Sequence, residues 1–199
     1  MNSTKQNLFV LTGGPGSGKT TLLDALDAAG FATAPEAGRS IIRQQKAMGG
    51  SGLPSADRLL YAELMLSWDI RSFQAAPDET AFFDRGIPDT IGYLSLCGIA
   101  VPAHFHRAAE MFRYNRTVFI LPPWPDIFRN DTERTQSPEE AEATFRAMQE
   151  TYTALGYRLV EVPRTRLRER LAFVLAAAGV GDHPCPDKKK GADNRGPRP

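Results

Sequence analysis

Residues 13 to 20, GGPGSGKT, combine glycines, a lysine and a hydroxyl group at the spacing G-x-x-x-x-G-K-[ST] of a Walker A motif. Small residues allow the backbone to wrap round phosphate groups and to point N–H groups at them. Lys19 supplies a positive charge for the β- and γ-phosphates, and the Thr20 hydroxyl can bind Mg²⁺. A chance glycine-rich turn is disfavoured because an apolar run precedes the motif and a helical pattern follows it. We therefore expect a nucleoside triphosphate to bind with Mg²⁺. The predicted nucleotide-binding residues are Gly13, Gly14, Pro15, Gly16, Ser17, Gly18, Lys19, Thr20 and Thr21.

A carboxylate and a guanidinium, Asp84 and Arg85, end the apolar segment TAFFDRG at residues 80–86. A hydrolytic motor commonly has a glutamate after its metal-side aspartate, and a regulatory GTPase is expected to carry Asn-Lys-x-Asp and Asp-x-x-Gly. This chain has Arg85 and Ile87 at the relevant positions and no Asn-Lys-x-Asp. The pair instead resembles the acidic-Arg element of nucleoside and nucleotide kinases. That resemblance implies that Asp84 lies beside the metal and phosphates, and that Arg85 contacts the acceptor or the transferring phosphoryl group.

Glu36 and Arg39, in the segment APEAGRS, follow the second apolar run and are expected at the carboxyl edge of the sheet, where ligands bind in open α/β folds. In nucleoside-kinase-like proteins a carboxylate at this point takes the proton of the acceptor hydroxyl, which makes Glu36 a candidate general base. Two alternatives stay open for Glu36: an indirect contact with Mg²⁺, or an ion pair with Arg39. Arg39 is a candidate substrate-binding residue.

The segment LPPWPDIFRNDTERTQSPEE is polar and bounded by prolines, and it lies between an apolar run and a capped helix. Small kinases with a phosphate loop exclude water and neutralise the moving phosphoryl group with an arginine-bearing lid at this point. We therefore expect a helical lid at about residues 124–137, with Arg129 and Arg134 as catalytic residues. The alternative is that each arginine is exposed and pairs with Asp131 or Glu133.

Several other polar and aromatic residues are expected to be structural. Asp89 follows Pro88 at a predicted helix start, where an acid interacts favourably with the helix dipole. The charges on the mostly apolar helical segment 55–76 either rim a pocket or reach solvent, and solvent contact is the expectation; they are Glu63, Asp69 and Arg71. Trp68 and Trp124 could stack on a base, but core packing is expected for both.

Five apolar runs must position these residues, and each alternates with a helical pattern. Continuous apolar runs between helices predict parallel strands buried on both faces, and hence a three-layer α/β fold. The runs are residues 7–13, 31–36, 80–86, 116–123 and 157–164. One helix is expected to end at Gly30 and another to begin at Ser137 with a capping box to Glu140.

Composition limits the remaining possibilities. The 199 residues, 42% of them hydrophobic, suit one domain over residues 1–180, followed by a polar tail at 181–199 that we expect to be disordered. A net charge of +1 gives no field for nucleic acid or anionic membranes, and no apolar run is long enough to span a bilayer. Cys97 and Cys185 fit a reducing compartment, and the N-terminus has no secretory pattern, so we expect a cytoplasmic protein.

Taken together, the segments FVLTGGPGSGKTTLL, PEAGRSIIRQQ, FFDRGIPDTIGYL and FILPPWPDIFRNDTERTQ resemble small bacterial AAA-type proteins with a phosphate loop. These are related to the ribosylnicotinamide kinase domain of the bifunctional NAD regulator and to nucleoside and nucleotide kinases. The resemblance covers about residues 7–176. It implies a sheet order of 2-3-1-4-5, a lid role for Arg129 and Arg134, and ATP or GTP binding. The sequence has neither the Asp-Glu box of AAA+ machines nor an adenylyltransferase half, so those activities are not carried over.

The resulting hypothesis is an Mg²⁺-dependent phosphotransferase that acts on a small hydroxyl or phosphate acceptor. The acceptor would bind between Glu36, Arg39 and the Asp84-Arg85 pair. A nucleotide-dependent switch or NTPase that regulates a protein or lipid partner is the alternative. A nucleic-acid end kinase is disfavoured because the sequence has no basic stripe interleaved with aromatic residues.

Overall fold

The computed structural model describes residues 3–125 and 137–181. Five parallel strands form one sheet in the spatial order β3-β4-β2-β6-β7. Numbered within this sheet alone, the order is 2-3-1-4-5, as predicted. The strands of the described residues are β1 (Ser3–Thr4), β2 (Leu8–Gly13), β3 (Ala32–Ala34), β4 (Ala81–Asp84), β5 (Phe112–Arg113), β6 (Thr117–Leu121) and β7 (Arg158–Glu161).

Helices cover both faces of the sheet. They are α1 (Lys19–Ala28), α2 (Ala37–Met48), α3 (Arg58–Ala75), α4 (Ile87–Leu96), α5 (Ala103–Met111), α6 (Pro138–Ala154) and α7 (Leu167–Ala178). The predicted capping box opens α6: the Ser137 N–H donates to Glu140 at 2.8 Å and the Glu140 N–H donates to Ser137 Oγ at 3.3 Å. Near the end of α1, Gly30 has the left-handed φ of 92° that the sequence suggested.

The three layers follow from how the strands divide their side chains. Along β2, Leu8 and Val10 face one apolar core with α3, α4, α5 and α6, whereas Phe9 and Leu11 face a second core with α1 and α7. All residues of β2, β4 and β6 are buried, which is the property of a parallel sheet covered on both sides. The predicted α/β architecture is therefore confirmed.

A second sheet of two residues per strand, β1 with β5, was not predicted. Next to it, Lys5 Nζ donates to the carbonyl oxygens of Phe73 and Ala76 at 3.1 and 3.2 Å, which places a cation at the C-terminal end of α3. Strands this short leave no periodic signal in a sequence.

Some of the predicted residues lie outside the ranges that the structure describes. Arg129, Arg134 and Cys185 lie outside the described residues, as does most of the predicted lid and nearly all of the predicted tail. Cys97 is a half-buried free thiol. In the described ranges no helix is long and apolar enough to cross a membrane.

Candidate functional site

The phosphate loop connects β2 to α1, and its glycines are required by geometry. Gly13, Gly16 and Gly18 have φ values of 129°, 69° and 78°, in the region that residues with a Cβ rarely adopt. A Cβ at Gly13 would also collide with the carbonyl oxygen of Leu121 on the neighbouring strand. The start of the loop therefore lies close against β6, and the conformation of the loop depends on these residue types.

Lys19 lies at the start of α1, with its ammonium group inside the loop. Lys19 Nζ donates to the carbonyl oxygens of Gly13 and Gly14 at 3.0 and 2.7 Å. Burial, and next the nearby charge of Arg85, lower the pKa of Lys19 from 10.5 to about 8. The next residues, Thr20 and Thr21, are exposed on the first turn of the helix.

Arg170, on α7, contacts the phosphate loop from behind and was not identified in the sequence. Its Nη2 donates to the carbonyl oxygens of Ser17 and Gly18 at 3.1 and 3.4 Å, and its guanidinium lies 5.6 Å from the ring centre of the half-buried Trp124. Burial lowers the pKa of Arg170. Since about 150 residues separate the partners, no local pattern could have indicated this support.

Asp84 ends β4 opposite Leu11 of β2, so it lies beside the phosphate loop. Its side chain is buried, and its Oδ1 has no hydrogen-bond partner among the described residues. Burial raises the pKa of Asp84, and the positive charge of Lys19 opposes that shift. An unpartnered carboxylate oxygen at this point fits Mg²⁺, which is commonly held by one or two protein groups together with nucleotide phosphates.

Arg85 has a φ of 72° and is the one non-glycine residue with positive φ in the described part of the chain. Its backbone N–H donates to the Leu11 carbonyl at 2.9 Å. Its side chain donates through Nε to Glu36 Oε1 at 3.4 Å and through Nη1 to Asp89 Oδ1 at 3.1 Å. Although burial opposes it, the carboxylates of Glu36 and Asp89 raise the pKa of Arg85. A sparsely populated backbone conformation thus accompanies a guanidinium that is paired with two carboxylates.

Glu36, immediately before α2, joins two of the predicted site residues. Its Oε2 lies 3.7 Å from Nε of Arg39, while its Oε1 accepts from Arg85. Glu36 is mostly buried, and 41% of the Arg39 side chain is exposed. The structure therefore brings Glu36, Arg39 and Arg85 together at the carboxyl edge of the sheet.

Asp89 does more than begin a helix. Its Oδ2 accepts from the Gly86 N–H at 3.0 Å, which confirms the expected position in the first turn of α4. Its Oδ1 also accepts from Thr12 Oγ1 at 2.6 Å, and its Oδ2 accepts from the Tyr152 hydroxyl at 2.6 Å. The Asp89 carboxylate thus connects β2, α4 and α6 to Arg85 through hydrogen bonds, and the sequence analysis did not predict this connection.

Tyr152→Phe tests the connection to α6. Because the variant removes one hydrogen bond to a buried charged group, the free energy of unfolding should fall by about 2 kcal/mol in urea denaturation. The control is a double-mutant cycle with Asp89→Asn, in which the two losses should not add. A change below about 0.5 kcal/mol would show that the Tyr152 hydroxyl contributes little.

A cleft of about 760 Å³ opens beside Arg85, between α2, α3, α4 and α6. Glu36, Arg85 and Asp89 contribute to its wall, together with Asp69. The expectation of solvent contact was thus wrong for Asp69, because α3 turns this residue toward the cleft. It holds for Arg71, which is exposed, and for Glu63, whose side chain is 39% exposed and pairs with His104 at 2.9 Å.

The described aromatic residues of this helix pack as expected. Trp68 is partly buried and packs against the apolar cluster of α2 and α3 that contains Ile41 and Tyr61. On α6, the buried Phe145, Met148 and Tyr152 face the core.

Comparison with known proteins places the chain among proteins of the same architecture. A family model described as an AAA domain matches residues 8–170. A search of curated proteins finds no match. Among solved structures, the NadR protein in complex with NR has a TM-score of 0.66 at 16% identity, over 89% of this chain. The present chain spans about half of the NadR chain, 53%.

Two further solved structures match nearly over their full length. Deoxyadenosine kinase from M. mycoides has a TM-score of 0.62 at 13% identity, covering 86% of this chain and 98% of the kinase. Thymidylate kinase from Ehrlichia chaffeensis has a TM-score of 0.59 at 15% identity, covering 88% and 98%. At these identities the likeness establishes the fold alone.

Proposed function

The chain belongs to the AAA domain family, and from this membership and the geometry of its site we propose that it is an Mg²⁺-dependent phosphotransferase. It transfers the γ-phosphoryl group of ATP, with GTP as the alternative donor, to a small-molecule acceptor. The observation that carries the proposal is the position of Arg85, which joins the wall of the cleft to the strand end beside the phosphate loop.

The proposal assigns the two substrates to adjoining spaces. The nucleotide binds at residues 13–21, where the loop and the first turn of α1 offer N–H groups and Lys19 offers its charge. The acceptor binds in the cleft, with Glu36 and Arg85 at the junction. The related solved structures support this division in general terms, since their descriptions name NR, AMP-PNP and dATP as bound molecules.

The reaction is an in-line displacement. An acceptor oxygen forms a bond to the γ-phosphorus, the bond from that phosphorus to the β,γ-bridging oxygen breaks, and ADP leaves with the bonding electrons. Glu36 takes the proton of the acceptor hydroxyl. Lys19 and Arg85 stabilise the charge that develops on the phosphoryl oxygens, and Arg129 and Arg134 are proposed to do so from the lid.

Thr20 and Asp84 are the residues that would hold Mg²⁺. When bound, the ion supplies positive charge that neutralises the nucleotide phosphates and orients them. The unpartnered Oδ1 of Asp84 is the feature of this chain that supports the assignment.

The test is ATP consumption across nucleosides, nucleotides, ribosylnicotinamide and amino-alcohol acceptors, with the phosphorylated product identified by mass spectrometry. We expect ADP and phosphorylated acceptor to form in equal amounts. Release of ADP and inorganic phosphate at the same rate with and without every acceptor would contradict the proposal. Such acceptor-independent turnover, if a protein partner increased it, would favour a nucleotide-dependent switch, which the AAA description of the family also suggests.

Glu36→Gln tests the general base. The variant keeps the size of the side chain but cannot take a proton, so kcat should fall by about a hundredfold or more. The KM for ATP should change by less than about threefold, since the base acts on the acceptor. Arg39→Gln is the matched control, because it removes the 3.7 Å ion pair and keeps the carboxylate. Equal losses of kcat in both variants at saturating acceptor, where a binding role of Arg39 no longer affects the rate, would contradict the assignment of Glu36 as the base.

A further inference from the structure

We infer that the acceptor is an uncharged or cationic compound with a free hydroxyl group, and that the cleft rejects phosphate monoesters. The inference rests on the proposed phosphotransferase function and decides between its two classes of acceptor, alcohols and phosphates. It also assigns Asp69 as a residue that determines specificity.

The first argument is that Arg85, the mostly buried cation of the cleft, already has two carboxylate partners. Its Nε and Nη1 donate to Glu36 and Asp89 at 3.4 and 3.1 Å, and the side chains of all three are no more than 16% exposed. A phosphate monoester carries close to two negative charges at neutral pH. In the proposed reaction Arg85 stabilises the transferring phosphoryl group, so a phosphate on the acceptor would have to compete for Arg85 with that group and with two fixed carboxylates, and all of them repel it.

The second argument concerns the other cations near the cleft. Arg58 lines the cleft but is an exposed residue, and its Nε donates to the Pro54 carbonyl oxygen at 3.1 Å. Arg39, beside Glu36, is not among the residues that line the cleft. Neither arginine therefore offers an acceptor phosphate a buried, unneutralised charge.

The described residues that line the cleft include more acidic than basic side chains. Even without Asp69, whose charged form is disfavoured by burial, the acidic residues outnumber the two basic ones: Glu36, Asp89 and Glu140 against Arg58 and Arg85. A pocket with excess negative charge binds cations and neutral hydrogen-bond donors more readily than anions, because the field of fixed charges is strengthened between apolar walls.

The carboxyl group of Asp69 lies in the cleft wall and lacks a hydrogen-bond donor among the described residues. Within the described residues it makes no hydrogen bond or ion pair, although it lies on the cleft wall. Burial raises the pKa of Asp69 well above its ordinary range, and the carboxylates of Asp89 and Glu36 raise it further. An N–H group or a positive charge on the acceptor would relieve this penalty, whereas an anion would increase it.

The apolar residues of the cleft wall indicate what kind of acceptor molecule carries that hydrogen-bond donor. Tyr61 of α3 and Tyr93 of α4 line the cleft with their rings 5.5 Å apart and inclined by 73°. Met65 and Met148 complete a surface that suits a ring or a compact carbon skeleton. The structure thus points to a hydroxyl acceptor whose ring lies among these side chains and whose donor faces Asp69.

The experiment compares acceptors in matched pairs that differ by one phosphate: nucleosides against their 5′-monophosphates, and ribosylnicotinamide against its mononucleotide. In each pair that supports transfer, kcat/KM should be at least about tenfold higher for the alcohol, a preference of about 1.4 kcal/mol. An equal or higher value for the monophosphate would overturn the inference and leave the phosphotransferase standing. If no compound is phosphorylated above the level of Lys19→Ala, the proposed function fails and the inference fails with it.

Asp69→Asn tests the assigned residue, and Glu63→Gln is the matched control on the same helix, outside the lining. In Asp69→Asn we expect the KM of the preferred alcohol to rise about tenfold and the discrimination against its monophosphate to shrink, while the KM for ATP stays within about twofold. Glu63→Gln should change none of these values. If Asp69→Asn fails to fold, Asp69→Ser is measured in the same way. An unchanged preference in a folded variant would overturn the role of Asp69.

Discussion

Lys19→Ala should lower kcat/KM for ATP-dependent transfer by about a thousandfold, which corresponds to about 4 kcal/mol of transition-state stabilisation. The reason is that Lys19 is the one cation inside the described phosphate loop, where burial strengthens its interaction with phosphate oxygens. Initial rates of ADP formation at saturating acceptor measure the effect. Loss of activity from unfolding is checked by the thermal midpoint. A folded variant that retains more than about a tenth of the rate would remove Lys19 from the mechanism.

The pH dependence of nucleotide binding tests whether the charge of Lys19, and not only its size and shape, contributes to the affinity for ATP. Because its pKa is lowered to about 8 in the free protein, the lysine is largely neutral above that pH. Binding of a phosphate restores the charge and must then take up a proton. The dissociation constant of ATP should therefore be nearly constant below pH 8 and rise by up to about tenfold per pH unit above it.

Lys19→Arg is the matched control for this pH profile. A guanidinium stays protonated throughout the range, so any affinity that the variant retains should not fall between pH 8 and 10. Calorimetric titration in buffers of different ionisation enthalpy would measure the proton uptake directly. A wild-type profile that is flat across pH 8 would show that Lys19 is already charged in the free protein.

The sequence was sufficient for features that are encoded locally. The five apolar runs predicted the five strands of the sheet, although burial on both faces holds only for β2, β4 and β6, because β3 and β7 are edge strands and are only partly buried. The Ser137 capping box marked the start of α6 within one turn. The phosphate loop could be identified because its eight residues are adjacent in the sequence. Local spacing also placed Glu36 and Asp84-Arg85 at strand ends, from which their meeting at one edge followed.

The contacts that the sequence did not predict join residues that lie far apart along the chain. The bonds of Asp89 to Thr12 and Tyr152 join positions 77 and 63 residues away, and neither partner has a distinctive neighbour pattern. Asp69 differs from the exposed Glu63 and Arg71 only in the direction in which α3 presents it, and that direction is fixed by packing against α2 and α4. A helix that is apolar on most of its circumference leaves this rotation undetermined in the sequence.

Arg85→Ala should have both a structural and a catalytic effect. Removal of the guanidinium leaves the mostly buried carboxylates of Glu36 and Asp89 without their shared cation, so the free energy of unfolding should fall by about 3 kcal/mol. The rate of transfer should fall by about a hundredfold or more, because the charge beside the moving phosphoryl group is lost. Urea denaturation and initial rates at saturating substrates measure the two effects separately.

The double variant Arg85→Ala with Glu36→Gln distinguishes an arginine that only neutralises carboxylates from one that also acts in the reaction. Glutamine removes the unpaired charge opposite Asp89, so much of the lost stability should return, while transfer should remain at or below the rate of the single variant. Arg85→Gly provides a second comparison: it relieves the φ of 72° and should be more stable than Arg85→Ala by about 1 kcal/mol, with no gain in activity. If activity instead returns together with stability in either variant, Arg85 acts through the fold, and the stabilisation of the phosphoryl group must come from other residues.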